Sequence, residues 1–318
     1  MKFAVNTSTD PHFNLAFDEY CLQQYRSDED FFYLWRNRPA VIIGLNQNAY
    51  SEVNLDYLDS HGITLARRVT GGGAVYHDLQ NMNYTFIGKS VTPEPFVKAL
   101  RALGVDAELT GRNDIFVDGH KVSGYARRVW HDREIVHGTL MYDVDIDTLT
   151  RVLDVPGSKM DAKGIASVRS RVANLKDYLP QFKSLDELQV ALHEILSAGD
   201  GQVSMGPEDY AEVERMAREK FSTWDWVYGH SREAGFTRKA RLACGTVQVS
   251  VSTDRGVITD IAFAGDFLGD KPAEALASAL KGVKFEKEAV REALCRLGVG
   301  EHFAGVRPEE LAELIVNQ

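Results

Sequence analysis

The dipeptide Asp118-Gly119 is the feature that most constrains how this chain can fold. Residues 115–117 (Ile-Phe-Val) precede it, and Lys121-Val122 follow one residue after it. Asp-Gly between runs rich in β-branched and aromatic residues is typical of a two-residue hairpin turn in which both residues have positive φ. The sequence therefore predicts an antiparallel hairpin around residues 114–123.

The same turn fixes which side chains of the hairpin share a face. It pairs Val117 with His120, and continuing the register pairs Asp114 with Ser123. Because side chains alternate between faces along a strand, Asp114, Lys121 and Ser123 are predicted to lie on one face together with Phe116. An exposed ion pair is one interpretation, and it would contribute little to stability. The other is a lysine held to neutralise a carboxylate or phosphate, with Asp114 orienting it or helping to bind a metal.

A glycine triplet, Gly71-Gly72-Gly73, follows the arginine pair Arg67-Arg68. Glycines let a backbone approach a ligand closely, and arginine offers a fork of donors that matches carboxylate and phosphate. The segment is neither a P-loop nor a dinucleotide-binding fingerprint. A tight turn with surface arginines is the alternative, but the adjacent pair of cations favours a binding loop.

Residues 163–174 form a third candidate segment, with cations, serines and a glycine but no strong periodicity. Such a composition is typical of a solvated loop, and it also suits a loop that closes over a ligand. His137 lies on a predicted strand, where a structural role is the more common one. Trp35, Trp130, Trp224 and Trp226 are interpreted as core or hinge packing.

The element pattern predicts an α+β chain with mixed or antiparallel sheet and two domains, residues 1–238 and 239–318. Strands are predicted at residues 31–35, 40–45, 63–69 and 83–87, and helices at 95–103, 184–198 and 208–221. Asn14 is predicted to cap a helix that reaches about residue 26. In the second domain, strands at 240–251 and 256–264 precede helices at 272–280 and 287–297.

Composition narrows the class of protein. The 36 Lys and Arg against 46 Asp and Glu give a formal charge of −10, which argues against a nucleic-acid-binding surface. Three scattered cysteines do not form a metal or disulfide pattern. Neither a signal peptide nor a long apolar span is evident, so a cytoplasmic protein without a membrane segment is expected.

Taken together, the motifs resemble the lipoate–protein ligase A family. Five motifs occur in the family's order: residues 67–78 (RRVTGGGAVYHD), 111–114 (GRND), 121–126 (KVSGYA), 137–140 (HGTL) and 163–175 (KGIASVRSRVANL). Residues 34–37 and 44–48 are similar to the family's opening strands, and residues 265–267 fall in a tail similar to its small C-terminal domain. Thr70 departs from the family, where serine precedes the glycines, but it keeps the hydroxyl.

The resemblance implies a biotin/lipoate-ligase-type catalytic domain with a small α+β accessory domain. It implies ATP and Mg²⁺ as cofactors, lipoate as the substrate and lipoyl-AMP as an intermediate. The lipoyl group would pass to a lysine of an apo lipoyl domain, in the E2 subunit of a 2-oxoacid dehydrogenase, in the glycine-cleavage H protein, or in both.

Site residues are likewise implied by the resemblance. Lys121 and Asp114 would be catalytic, with Asp114 a candidate ligand of magnesium. The ATP- and lipoate-binding residues would be Arg68, Gly72, Gly73, Ala74, Val75, Tyr76, His77, Lys121 and Ser123. The adenylate-binding loop would contain Lys163, Gly164 and Ala166.

Three alternatives remain at the level of the sequence. A related octanoyl- or lipoyl-transferase would need a cysteine nucleophile, and none occurs between Cys21 and Cys244. A biotin–protein ligase would carry a Gly-Arg-Gly-Arg type of loop, which is missing. A lipoate-binding relative without turnover is disfavoured by Lys121, Arg68 and Asp114.

Overall fold

The computed structural model describes residues 1–110, 113–153, 171–229, 234–265, 267 and 271–316. The chain divides into two compact units. The first comprises Met1–Leu45 and Tyr57–Thr223, and the second comprises Asn46–Asp56 and Trp224–Gln318. Helices occur beside mixed and antiparallel sheets, which confirms the predicted α+β class.

Within the described ranges, the first unit contains two sheets. Its strands are β1 (Lys2–Phe3), β2 (Phe31–Trp35), β3 (Ala40–Ile43), β4 (Thr64–Arg67), β5 (Val75–His77), β6 (Asn81–Gly88), β7 (Ala107–Thr110), β8 (Asp114–Val117), β9 (His120–Trp130) and β10 (Arg133–Met141). The large sheet has the order β1-β2-β6-β10-β9-β8-β7 and is antiparallel except between β1 and β2. The small sheet has the order β4-β3-β5 and is mixed.

The described helices complete the chain. They are α1 (Pro11–Gln23), α2 (Ala49–Glu52), α3 (Leu55–Ser60), α4 (Glu94–Ala102), α5 (Ile146–Val152), α6 (Leu185–Ser197), α7 (Pro207–Met216), α8 (Trp224–Val227), α9 (Ala273–Leu280), α10 (Lys287–Leu297), α11 (Val299–His302) and α12 (Pro308–Val316), with short 3₁₀ and π turns at Leu175–Tyr178 and Ala217–Phe221. None of the helices in the described part of the chain has the length and apolar character of a membrane span.

The two faces of the large sheet differ in chemistry, and β6 shows this most clearly. Met82, Tyr84 and Phe86 lie on one face, in an apolar core that also contains side chains of α4 and α6. Asn83 and Thr85 lie on the other face, because neighbouring side chains of a strand alternate. Both are nonetheless buried. A buried polar face must be packed against residues that can satisfy its polar groups. Here residues of the small sheet and the glycine segment lie near this face.

Several predicted boundaries are confirmed, and two are wrong. The strand at residues 31–35 is found as predicted. The first helix begins earlier than predicted, at Pro11, because the side chain of Asp10 accepts hydrogen bonds from the amides of His12 and Phe13. Asn14 therefore lies inside this helix rather than at its cap, and its side chain is used elsewhere.

The second unit contains a three-stranded antiparallel sheet, β11 (Ala234–Leu242), β12 (Gly245–Asp254) and β13 (Val257–Gly265). The single strand predicted at residues 240–251 is wrong, because the chain turns between Leu242 and Gly245, where Gly245 has a φ of 126°. The predicted boundary at residues 238 and 239 falls within β11, and the domain limits drawn from the sequence remain a prediction.

Candidate active site

A cavity of about 130 Å³ in the first unit is lined by both sheets, the glycine segment and α1. Its lining includes Leu15, Trp35, Ile42, Arg68, Gly72, Gly73, Ala74, Val75, His77, Asn83, Asn113, Lys121, Gly124, Tyr125, Ala126, His137, Gly138 and Thr139. Seven of the residues implied by the family resemblance are thus brought together although they come from separate segments. Enclosure by strands and close approach of glycines suit a small-molecule site.

A row of neighbouring residues across the large sheet connects the cavity wall to Asp114. Trp35 is the register partner of Asn83, and Asn83 is the partner of Thr139. The amide of Gly124 lies 3.3 Å from Thr139 Oγ1, and Gly124 is the partner of Asp114. Five neighbouring strands thus supply one residue each, and four strand spacings correspond to roughly 19 Å. Trp35 therefore forms the aromatic end of this row of residues, and Asp114 forms the charged end.

The charged end is an ion pair on the predicted hairpin. Lys121 Nζ lies 2.7 Å from Asp114 Oδ1, and the two side chains are 36% and 27% exposed. The turn is as predicted, since Asp118 and Gly119 have φ of 48° and 75° and Val117 pairs with His120. Ammonium and carboxylate are therefore held together at the edge of the cavity, partly in contact with solvent.

The predicted pairing of Asp114 with Ser123 is wrong, because β9 contains a bulge at this point. Ser123 pairs with Ile115, so it turns to the core face, where its Oγ lies 3.4 Å from the hydroxyl of Tyr84. Gly124 takes its place opposite Asp114. A Cβ on Gly124 would come 3.0 Å from Lys121 Nζ, so the glycine leaves the space that the lysine side chain occupies.

The backbone of Lys121 also anchors the end of the third candidate segment. Its amide donates to the carbonyl of Arg171, and its carbonyl accepts from the amide of Ala173. Asn174 then bonds both backbone groups of Val144 through its side chain. The carboxyl-terminal end of the segment implied as the adenylate-binding loop is therefore hydrogen-bonded to β9, the strand that contains Lys121. Lys163, Gly164 and Ala166 lie outside the described residues.

Arg68 organises the glycine segment. Its guanidinium donates to the carbonyls of Ile42, Gly71 and Gly73, and to Thr70 Oγ1. The side chain is 6% exposed, and burial lowers the pKa of the guanidinium to about 10. All of these hydrogen-bond acceptors are neutral oxygens, so among the described residues the buried positive charge of Arg68 lines the cavity without a hydrogen-bonded carboxylate. Such a charge favours binding of an anion.

The strand after the glycines directs alternate residues into the cavity. Val75 and His77 line the cavity, whereas Tyr76 does not appear in its wall. Tyr76 pairs with Val41, and burial with the nearby carboxylates of Asp78 and Asp145 raises the pKa of its hydroxyl. Of the implied binding residues, Tyr76 and Ser123 are thus not part of the cavity wall. Asp114, implied as catalytic and as a candidate magnesium ligand, does not line the cavity either, but it contacts Lys121, which does.

A buried hydrogen-bond network lies under the same cavity. His137 Nδ1 lies 2.6 Å from Asp18 Oδ2, and His137 Nε2 lies 2.7 Å from Thr70 Oγ1. The other oxygen of Asp18 accepts from the hydroxyls of Tyr33 and Thr85. The network connects α1, the large sheet and the glycine segment, and through Thr70 it reaches Arg68. It fixes His137 and Thr70 in single orientations.

No thiol lines the cavity within the part of the chain that the structure describes. Cys21 is buried in α1, and burial raises the pKa of its thiol well above the usual range. Cys244 and Cys295 belong to the second unit. Among the described residues there is also no cluster of three or more side chains able to hold a metal ion by themselves.

The sequence did not indicate several residues of this site. Asp18 and Thr70 gave no catalytic signal, Trp35 was interpreted as packing, and Asn37 and Asn83 were not singled out. Trp35 instead forms the aromatic end of the cavity. Each of these side chains acquires its place through the packing of segments that are distant in the sequence, which local motifs do not describe.

Comparisons with known proteins agree with this geometry. The chain matches the family described as lipoyl protein ligase A/B catalytic domain over residues 10–197, and that described as bacterial lipoate protein ligase C-terminus over residues 231–315. Lipoate–protein ligase 1 of Staphylococcus aureus is 38% identical over 99% of this chain and 100% of its own length. A lipoate–protein ligase of Bacillus subtilis is 35% identical over 96% and 97%.

Solved structures give the same result. A bi-partite lipoate protein ligase of Thermoplasma acidophilum, studied with its E2 lipoyl domain, has a TM-score of 0.66 and 31% identity, covering 73% of this chain and 97% of that one. A lipoate–protein ligase A bound with ATP has a TM-score of 0.62 and 30% identity, covering 72% and 98%. These likenesses confirm the expected fold. With more than half of its length matched by the catalytic-domain family and full-length relatives above 30% identity, the chain belongs to the lipoate–protein ligase family of enzymes.

Proposed function

We propose that this chain is an ATP-dependent lipoate–protein ligase that works in two steps. The carboxylate of lipoate attacks the α-phosphorus of ATP, which forms lipoyl-AMP and releases pyrophosphate. The amine of an acceptor lysine then attacks the acyl carbon, which forms an amide and releases AMP. The observation that carries the proposal is the cavity itself, with an ammonium at one end, a buried guanidinium in its wall and an aromatic end opposite.

The first step has an electrostatic problem that these residues address. A carboxylate and a triphosphate repel each other, so positive charge must lie where they meet. We assign Lys121 to this place, because Asp114 holds its ammonium at 2.7 Å and the space above Gly124 accommodates it. Arg68 adds a buried positive charge, and glycine amides at Gly72 and Gly73 are donors without obstructing side chains.

Nucleotide and metal binding follow from the same end of the cavity. A relative has been solved with ATP, and we extend this ligand to the present chain. Mg²⁺ usually binds through substrate phosphates with one or two carboxylates. Asp114 fits this pattern, because its carboxylate lies beside Lys121 at the edge of the cavity and is 27% exposed. When bound with ATP, the ion would neutralise phosphate charge, while Lys121 orients the carboxylate.

The cysteines favour ligation over thioester transfer. A transferase would need a thiolate beside the acyl group. Residues 22–243 contain no cysteine, and the thiol of Cys21 is buried with a raised pKa. Activation of the acyl group by ATP needs no such nucleophile.

The acceptor is proposed by analogy with a relative. The Thermoplasma acidophilum ligase was studied with its E2 lipoyl domain. We propose lipoyl domains of 2-oxoacid dehydrogenase E2 subunits, the glycine-cleavage H protein, or both as acceptors here. The reaction would take place in the cytoplasm, where apo acceptors are made.

Mass spectrometry of an apo lipoyl domain tests the proposal. Incubation with the full chain, ATP, Mg²⁺ and lipoate should add one lipoyl group to one lysine, and omission of ATP should prevent it. Lys121→Ala should remove the product. Lys281→Ala is the matched control, since it breaks an ion pair of 2.7 Å with Asp260 in the second unit and should leave labelling intact. Labelling without ATP from an octanoyl carrier protein would support the transferase instead.

A further inference from the structure

Two opposite charges are buried in the first unit, and within the described residues they do not form a direct ion pair. Asp18 is fully buried and Arg68 is 6% exposed. Asp18 accepts from the hydroxyls of Tyr33 and Thr85, and its other oxygen contacts the ring of His137. A buried charge is costly unless an opposite charge or hydrogen bonds compensate it. Here the carboxylate and the guanidinium are joined through two neutral side chains.

The direction of these hydrogen bonds follows from the groups at the two ends. A guanidinium has only donors, so Arg68 Nε donates to Thr70 Oγ1 at 3.1 Å. An ionised carboxylate only accepts, so His137 Nδ1 carries a proton and donates to Asp18 Oδ2 at 2.6 Å. The hydroxyl proton of Thr70 then has one acceptor among the described groups, His137 Nε2 at 2.7 Å. The chain therefore runs from Arg68 through Thr70 and a neutral His137 to Asp18.

Arg68 transmits this order to the glycine segment. Its Nη2 donates to the carbonyls of Gly71 and Gly73, each at 2.8 Å, and its Nη1 donates to the carbonyl of Ile42 at 3.0 Å. Glycine restricts the backbone little, so a run of three glycines needs contacts from elsewhere to hold one conformation. Asp18, at the other end of the chain, belongs to α1 and does not line the cavity.

Lys121 is held by different contacts. Asp114 and Gly124 define the position of its ammonium, and neither belongs to the chain between Arg68 and Asp18. Loss of that chain should therefore weaken binding of the anionic substrates and leave the chemical step at Lys121 intact. A change of this kind raises KM and leaves kcat nearly the same.

We propose that Asp18, His137 and Thr70 are positioning residues for acyl adenylation, and that they act as one hydrogen-bond chain that holds the glycine segment in its substrate-binding conformation. This role rests on the proposed function, in which Arg68 supplies positive charge to the cavity. Successive hydrogen bonds in a buried chain polarise one another. Removal of any member should consequently remove the effect of the whole chain.

NMR of the ring nitrogens of His137 tests the direction of the chain in the unmodified protein, with the ring signals assigned through the backbone of this residue. At neutral pH the ring should be neutral, with its proton on Nδ1. A proton on Nε2, or on both nitrogens, would overturn the proposal, because Thr70 could not then donate to the ring. The measurement needs neither turnover nor the folding of a variant.

Thr70→Val tests the positioning role, because it removes the hydroxyl and nearly keeps the shape of the side chain. In ATP–pyrophosphate exchange with the full chain, the KM for lipoate should rise about tenfold and kcat should fall by less than about threefold. Thr70→Ser restores the hydroxyl and should recover most of the lost affinity. Thr150→Val is the matched control, because the hydroxyl of this buried threonine donates to the carbonyl of Ile146, outside the chain. It should leave KM unchanged.

A double variant tests whether the residues act together. His137→Asn keeps a donor toward Asp18 but has no nitrogen that reaches Thr70, so it should raise KM by about the same factor as Thr70→Val. The double variant should be no worse than either single variant, because both break the same chain. Multiplied effects, or a fall in kcat at unchanged KM, would overturn the proposal. Failure of the proposed function would differ, since the unmodified protein would then show no exchange.

Discussion

Gly124→Ala should inactivate the enzyme with little effect on its stability. A Cβ at this position would come 3.0 Å from Lys121 Nζ and 3.1 Å from Lys121 Cε. Carbon atoms in favourable contact lie about 3.5–4.0 Å apart, so the end of the lysine must move. The obstructed group is the flexible end of a side chain, and Gly124 itself does not have a positive φ. The main chain of the strand can therefore stay in place.

The magnitude follows from what the lysine loses. The ion pair with Asp114 is partly exposed, and pairs of this kind contribute about 0–1 kcal/mol to stability. Alanine also restricts the unfolded chain, which offsets part of that loss. A displacement of about 1 Å of a positioned catalytic group costs on the order of 100-fold in rate. We therefore expect adenylation to fall about 100-fold, with a change in melting temperature of no more than about 3 °C.

The assay is single-turnover formation of lipoyl-AMP, with melting measured on the same preparation. Gly201→Ala is the matched control, because a Cβ there would have no heavy atom within 4 Å. It should leave the rate unchanged. Full activity of Gly124→Ala would refute the reasoning, since Lys121 would then act without the position that Gly124 and Asp114 define.

Further predictions concern the buried groups around the cavity. Asp18 accepts from Tyr33 and Thr85 through Oδ1 and contacts His137 through Oδ2, so Asp18→Asn, which replaces one of these oxygens by an NH₂ group, should lower the free energy of unfolding in urea by about 1–3 kcal/mol. Arg68→Lys replaces the planar guanidinium that donates to the carbonyls of Gly71 and Gly73, so the glycine segment should lose its fixed position. Calorimetry should then show lipoate binding at least about tenfold weaker. Burial lowers the pKa of His77 to about 3 in the folded chain, whereas an exposed histidine has a pKa of about 6.5. Between these values the unfolded chain holds the extra proton, so His77 adds a slope of about 1.4 kcal/mol per pH unit, with stability falling as pH falls from 6.5 toward 3. His77→Gln should remove that slope in urea titrations between about pH 4 and 6, and an unchanged slope would show that His77 is not buried in neutral form.

The hairpin illustrates what local sequence can predict. The turn at Asp118-Gly119 follows from the backbone conformations that these two residues favour, and it was predicted correctly together with its first two pairs. The bulge one residue later was not. Its position depends on Val122 reaching the apolar core, which is a property of the whole sheet. As a result, glycine rather than serine lies beside Lys121.

The buried network could not be predicted for a related reason. Asp18, Thr70 and His137 are separated by more than 50 residues at each step, and each is an ordinary residue in its own segment. Only the register of the large sheet and the path of α1 bring them within hydrogen-bond distance. Motif order was sufficient to identify the family and the lysine. Contacts among buried polar side chains required the structure.

Lipoate-dependent ATP–pyrophosphate exchange is the most direct test of the central claim, that the cavity at Lys121 forms an acyl adenylate. The full chain, without any acceptor protein, should incorporate labelled pyrophosphate into ATP only when lipoate and Mg²⁺ are both present. Lys121→Ala should lose the exchange while its melting temperature stays close to that of the unmodified protein. Absence of exchange in the unmodified protein, with acyl transfer from an octanoyl carrier proceeding without ATP, would contradict the account.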